Sequence, residues 1–175
     1  MFRTKHSTWK PEWSPMEHEI FRDFGYAAFA AQMLESSLVQ ILLAMELKGR
    51  ISVEKKGKKK RDMETELFLS EQTLGVLIRE LKRAGMDKHT EEMLDDALKA
   101  RNFLMHHFFV KYAGDFATEH GRGKMLKELQ SLRFRIGRVQ YAFSQVRQQL
   151  YEKYFGITAD KWKKRYDAYL KSRQI

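Results

Sequence analysis

The chain has 175 residues, 43% of them hydrophobic, which suits one domain with a sizeable core. With no cysteine, disulfides and thiolate metal sites are excluded, and 10 glycines and 2 prolines leave few breakers, so long helices are expected. The net charge of +10 lies wholly in residues 121–175, where 14 Lys+Arg face 4 Asp+Glu while the first 120 residues sum to zero, a one-sidedness that fits a polyanionic partner, an anionic membrane surface, or a solvated basic face.

Residues 1–13 read as an extended arm, with Trp9 and Trp13 as docking residues and no apolar core of a signal peptide. Residues 14–175 read as a single domain, and a soluble cytoplasmic protein is the expectation. Ser14-Pro-Met-Glu17 is a capping box with proline at the first helical position. From it, Ile20, Phe24, Ala27, Ala31, Leu34, Leu38, Ile41 and Met45 repeat at 4-3-4-3 spacing, predicting a helix over 15–48. A second row on its flank (Phe21, Ala28, Val39, Leu42) is interrupted by Gln32 and Glu35, which need polar partners and argue against a membrane span.

Residues 49–62 form a basic linker, read as a solvated loop or a phosphate contact, and 63–69 a short helix or turn. Ser70 caps an expected helix over 70–84 carrying Leu74, Leu77, Ile78 and Leu81, stopped by Gly85. A third helix is predicted over 89–112, and Gly114 to Gly123 reads as a loop holding His120 and Arg122. A fourth, over 124–155, keeps 3-4 spacing through Leu129, Leu132, Ile136, Val139, Phe143, Val146 and Leu150. The last, over 159–172, sets Trp162, Tyr166 and Tyr169 against Lys163, Lys164, Arg165 and Lys171, and reads as docked on the bundle by its aromatic stripe. The fold expected is an all-α, up-and-down bundle of four or five helices.

The third helix holds the stretch with chemistry, Lys99 to Phe109. Arg101 falls in a gap of the stripe Leu94, Leu98, Met105, Phe108 and so needs a partner, for which Glu35 is the candidate. Asn102 and His106, four apart, share one face. By themselves these residues read as a salt-bridged arginine beside two ordinary histidines. The scattered His6, His18, His89 and His120 have no ligand spacing, and no glycine-rich phosphate loop exists, so no metal or cofactor is expected.

Arg101-Asn-Phe-Leu-Met-His106 resembles the Arg-Asn-x-x-x-His signature of the HEPN superfamily, small all-helical domains with many RNA-cleaving members. The likeness extends over about residues 17–155: a long first helix with the polar-interrupted flank Ala31 to Glu35, Thr73-Leu-Gly75 opening a helix, the motif helix, and a long closing helix. It implies a bundle, usually a homodimer, with two motif copies facing one cleft. It also implies metal-independent RNA cleavage of toxin or defence type, in which a 2′-hydroxyl attacks the adjacent phosphate. Arg101, Asn102 and His106 are then the catalytic residues: His106 moves protons, Arg101 steadies phosphate oxygens, and Asn102 orients one or the other. Glu35 and His107 are supporting, and the family's spacing also admits His107 as the functional histidine.

Arg101 and His106 are five residues apart, about 140° around an ideal helix, so the arginine must curl round or a second subunit must supply one of them. RNA is the partner expected, with Lys163, Lys164 and Arg165 on its phosphates, and an antitoxin or regulatory protein is a further one. The alternative is a non-catalytic HEPN-like module that binds nucleotide or RNA or regulates a partner, and a third reading is a bundle with only an interaction role.

Overall fold

Two long helices, α1 (Pro15–Leu47) and α5 (Glu119–Phe155), lie side by side and carry the architecture. Between them in sequence come α2 (Leu74–Arg83), α3 (Lys88–His106), the single turn α4 (Phe108–Lys111) and a 3₁₀ turn, Asp115–Ala117. The computed structural model describes residues 12–47, 69, 71–156, 158, 160, 161, 163, 164, 167, 168 and 171, and among them there is no strand. The all-α bundle expected from the periodicity is the fold observed.

Helix α1 starts at its capping box: the Ser14 amide donates to Glu17 Oε2 at 2.6 Å and the Glu17 amide donates to Ser14 Oγ at 3.4 Å. Glu17 lies 3.7 Å from Arg122 of α5, and Ile41 shares an apolar pocket with Phe143, so α1 and α5 run parallel. Helix α3 runs the other way, with Phe108 just beyond its end beside Phe24 and Arg101 beside Glu35. Directions alternate through α2, α3 and α5, whereas α1 and α2 run the same way: Gln72 lies level with Gln32, and Leu81 with Met45.

The core falls into two clusters stacked along α1. The upper one gathers Leu34, Leu38, Leu42, Leu77, Leu94 and Phe143; the lower one Ile20, Ala27, Leu104, Phe108, Met125 and Leu132. They divide between Ala31 and Leu34 on α1, between Ala97 and Ala100 on α3, and between Ile136 and Val139 on α5. By length and composition α1 could cross a membrane, but 44% of its apolar window is buried in this bundle.

Three expectations are corrected. The motif helix does not run unbroken to 112. It ends at His106, and His107 (φ −127°, ψ −19°) separates it from α4. Burying Phe108 and Tyr112 in a nest with Phe24 and Phe103 outweighs regular helix at one residue. The stripe that α3 buries is Leu94, Ala97, Ala100 and Leu104, while Met105 is 45% exposed and Leu98 only partly covered. Small alanines let α3 approach its neighbours, and that sets the buried face one residue away from the row of larger side chains.

The third correction is the start of α5 at Glu119, not 124. Thr118 Oγ1 caps it by accepting from the Gly121 amide at 3.0 Å. A Cβ on Gly121 would collide with the backbone of Asp115, so this glycine is required by the close approach of the 3₁₀ turn and not by a loop. The α5 seam is buried from Met125 to Phe143, and Val146 beyond it is exposed.

Ser70, the linker 49–62, residues 63–68 and the stripe Trp162, Tyr166, Tyr169 lie outside the described residues, but α2 begins at Leu74 with Thr73 at its N-cap, so the cap expected at Ser70 falls three residues later. Leu69 is buried in the upper cluster. Thr158 Oγ1 accepts from the Lys161 amide at 3.4 Å, and residues 160, 161, 163, 164, 167, 168 and 171 are helical and exposed. Trp13 is docked, edge-on to Phe21 at 5.0 Å and Phe116 at 6.2 Å.

Helix α3 is tied to α5 by a two-pronged ion pair. Arg135 donates to Asp96 through Nε at 3.0 Å and Nη2 at 2.6 Å, and these bonds hold the Asp96 carboxyl below the usual aspartate range. Because the folded value is depressed, this contribution is present above the ordinary aspartate range and is lost as pH falls through the lowered value. Asp96→Asn is therefore expected to cost about 1 kcal/mol near neutral pH, after solvent screening, and progressively less as pH falls through the depressed value, read by urea unfolding across the acid range. Leu104→Ala is expected to cost about 2–5 kcal/mol and Met105→Ala under about 0.5 kcal/mol in the same measurement. The reverse order would restore the stripe through Met105.

Candidate functional site

The motif residues occupy the last two turns of α3, and each turn has a cause. Asp87 opens the helix by accepting from the Thr90 amide at 3.0 Å. Ala100 and Leu104 fix its rotation by facing the lower core, and Phe108 anchors the chain just past its end. With the inward face set, Arg101 projects toward α1 while Asn102, Met105 and His106 face outward.

Arg101 Nη2 lies 3.1 Å from Glu35 Oε1 of α1. Its Nη1 donates to Asn102 Oδ1 at 3.2 Å. The expected partner is thus in place: two polar interruptions of apolar faces meet where α1 and α3 cross. Glu35 Oε1 is closed to solvent and accepts no aligned hydrogen bond, so the pair is held by charge and distance. Beyond Glu35 opens a cleft of about 240 Å³ lined by Gln32, Ser36, Gln40 and Gln72.

Helix α3 is regular through His106, so Arg101 and His106 stay about 140° apart, and the arginine does not curl round to the histidine. Asn102 stands between them. Its carbonyl oxygen is fixed by Arg101, and its position four residues before His106 puts it on the histidine's column. His106 and His107 are both exposed, with ring centroids 6.3 Å apart, and the His107 amide still donates to Phe103 O at 2.9 Å. Exposed Met105, Phe109 and Val110 border this column.

Lys163 and Lys164 are exposed on the C-terminal segment, and Arg165 lies outside the described residues. Among the described residues, no three His, Asp or Glu side chains group as metal ligands.

One charged residue escaped the sequence reading. Asp23 is buried, with Arg22 Nε at 3.3 Å and Arg133 Nη1 at 3.6 Å. Its signal was present: Asp23 stands three residues after Ile20 and four before Ala27, inside the buried row of α1.

Arg101→Ala would leave Glu35 Oε1 enclosed without its cation, and is expected to lower the thermal midpoint by a few degrees, equivalent to about 1–2 kcal/mol. His106→Ala, on an exposed position, is expected to move the midpoint little. Scanning calorimetry of the two variants separates these roles, and equal large losses would return the whole motif to a structural part. Compared with family models, with curated proteins and with solved structures, the chain shows no match.

Proposed function

We propose that this chain is a metal-independent RNA endonuclease of the HEPN type, acting in the cytoplasm in a toxin or defence role. The observation that carries the reading is the chain of contacts Glu35, Arg101, Asn102, which ends on the exposed column of His106. A partly buried carboxylate fixes a guanidinium, the guanidinium fixes an amide, and the amide stands one helical turn from a histidine open to solvent. Such an arrangement would hold a guanidinium and an amide in fixed positions, with an exposed imidazole on the adjoining face of the helix.

In the proposed reaction His106 accepts the proton of an RNA 2′-hydroxyl, whose oxygen attacks the adjacent phosphorus. The bond from phosphorus to the 5′-oxygen breaks, and a second imidazole or water returns a proton to that leaving oxygen. The products are a 2′,3′-cyclic phosphate and a free 5′-hydroxyl. The cation needed by the growing phosphate charge is Arg101, which its own helix holds on another side from His106. Two copies packed through Met105, Phe109 and Val110 would bring the arginine of one to the histidine of the other. Reading α1 as a core helix gives the soluble form of this dimer.

A second reading has one observation in its favour. Within one chain Arg101 and His106 point about 140° apart and the guanidinium is taken up by Glu35, as suits a module that binds RNA or a partner protein without cleaving.

His106→Ala is expected to lower cleavage of a fluorophore-quencher RNA by roughly 10²–10⁴, with the parent activity unchanged by EDTA. His107→Ala should retain most activity; the opposite pattern would move the proton transfer one residue along. RNA bound tightly but left intact by the parent protein would favour the non-catalytic module. In salt titrations, replacing Lys163, Lys164 and Arg165 with Ala should flatten the log–log slope of RNA affinity, by about 0.7 for each phosphate that is no longer neutralised.

A further inference from the structure

On the flank of α1 away from the motif, α1 and α5 enclose an open groove of about 630 Å³. It is lined by Glu19, Arg22 and Asp23 of α1 and by Arg133, Phe134, Gly137, Arg138 and Tyr141 of α5. We propose that this groove binds single-stranded RNA, its bases stacking on Phe134 and Tyr141 and its phosphates lying along Arg133, Arg138 and Arg22. The choice of RNA over other single strands rests on the nuclease reading of the motif; the binding chemistry of the groove does not.

The charge of the groove suits a polyanion. Both carboxylates that line it contact arginines: Glu19 Oε1 lies 3.0 Å from Arg22, and Asp23 holds Arg22 and Arg133. Asp23 thus anchors the two guanidinium groups, and each side chain stays more than half exposed, leaving donors for a phosphate. Helix α5 as a whole carries 8 Lys+Arg against 3 Glu, so the wall is cationic.

The same face holds aromatic rings open to solvent. Phe134 is 69% exposed, Tyr141 66% and Tyr26 54%, and the Arg133 guanidinium lies over the Tyr26 ring at 5.4 Å. Phe134 and Tyr141 are seven residues apart, so their rings leave the same face of α5 about 10.5 Å from each other along the axis. Stacking on such rings is tolerant of sequence and suits unpaired bases. No aliphatic side chain lines the groove, so a docking protein helix would find no apolar seam to bury there.

Gly137 lies on the groove floor between the two rings. A Cβ there would touch nothing, so packing does not demand glycine, although glycine within a helix costs about 1 kcal/mol relative to alanine. What it keeps is an open floor where a sugar-phosphate backbone can approach.

Fluorescence anisotropy with a labelled 12-nucleotide oligouridine tests the proposal on the intact His106→Ala chain, in which cleavage does not interfere. Phe134→Ala and Tyr141→Ala are each expected to weaken binding at least fivefold. Gly137→Gln should fill the floor and weaken binding comparably while raising the thermal midpoint, so that the loss cannot come from unfolding. A 12-base-pair RNA duplex should bind the parent and these variants alike. Unchanged oligouridine affinity in all three variants overturns the proposal. So does a change from dimer to monomer at unchanged affinity, which would give the face to a second copy of the chain. Binding that depends on the groove in a protein that never cleaves RNA would end the nuclease reading and keep this one; cleavage that depends on His106 with groove variants binding normally would do the reverse.

Discussion

Helix α3 is held at the level where the core divides, by ion pairs on its opposite flanks. Asp96 reaches Arg135 of α5, and Arg101, five residues on and about 140° around the axis, reaches Glu35 of α1. Between them Ala97 and Ala100 face inward, one in each hydrophobic cluster. The small side chains permit the close approach, and the two pairs fix the sliding and rotation that alanines alone would leave loose. Everything the motif presents to solvent depends on this setting.

That setting couples stability to the proposed chemistry unevenly. Arg101 belongs to both, since it neutralises an enclosed carboxylate oxygen and orients Asn102. His106 belongs to the surface alone. Just past it the helix breaks at His107, because Phe108 and Tyr112 are drawn into the lower cluster. The break ends α3 at the histidine pair and leaves Met105, Phe109 and Val110 as an apolar border around it. A surface of this kind, polar at its centre and apolar around, is the one that the proposed second copy would cover.

Helix α1 separates two surfaces of different character. One flank meets α3 and carries Glu35 toward the motif; the other meets α5 and carries Arg22 and Asp23 into the aromatic groove. Asp23 and Glu35 serve in the same way on the two sides. Each is an acid placed among apolar neighbours on α1, and each holds an arginine from another helix in a fixed place. The excess positive charge of the C-terminal third therefore enters the bundle partly through α5, by way of Arg133 and Arg138, and not only through the segment bearing Lys163 and Lys164.

Local signals in the chain were enough for the helices and for one long-range contact. The 4-3-4-3 row from Ile20, the Ser14–Glu17 cap and the stop at Gly85 act within a turn or two of helix, so their physics is present in the residues themselves. The meeting of Arg101 with Glu35 was legible because two charges that interrupt apolar faces have to neutralise each other. Other features were decided by neighbours distant in sequence. Whether Leu104 or Met105 turns inward depends on how closely α1 lets Ala97 and Ala100 approach, and the break at His107 on the aromatic nest that receives Phe108. The early start of α5 depends on a backbone contact between Gly121 and Asp115. Periodicity tells which residues share a face of a helix, but only the packed bundle decides which face is turned to the core, because that choice is made by the volume and charge of the helices it meets.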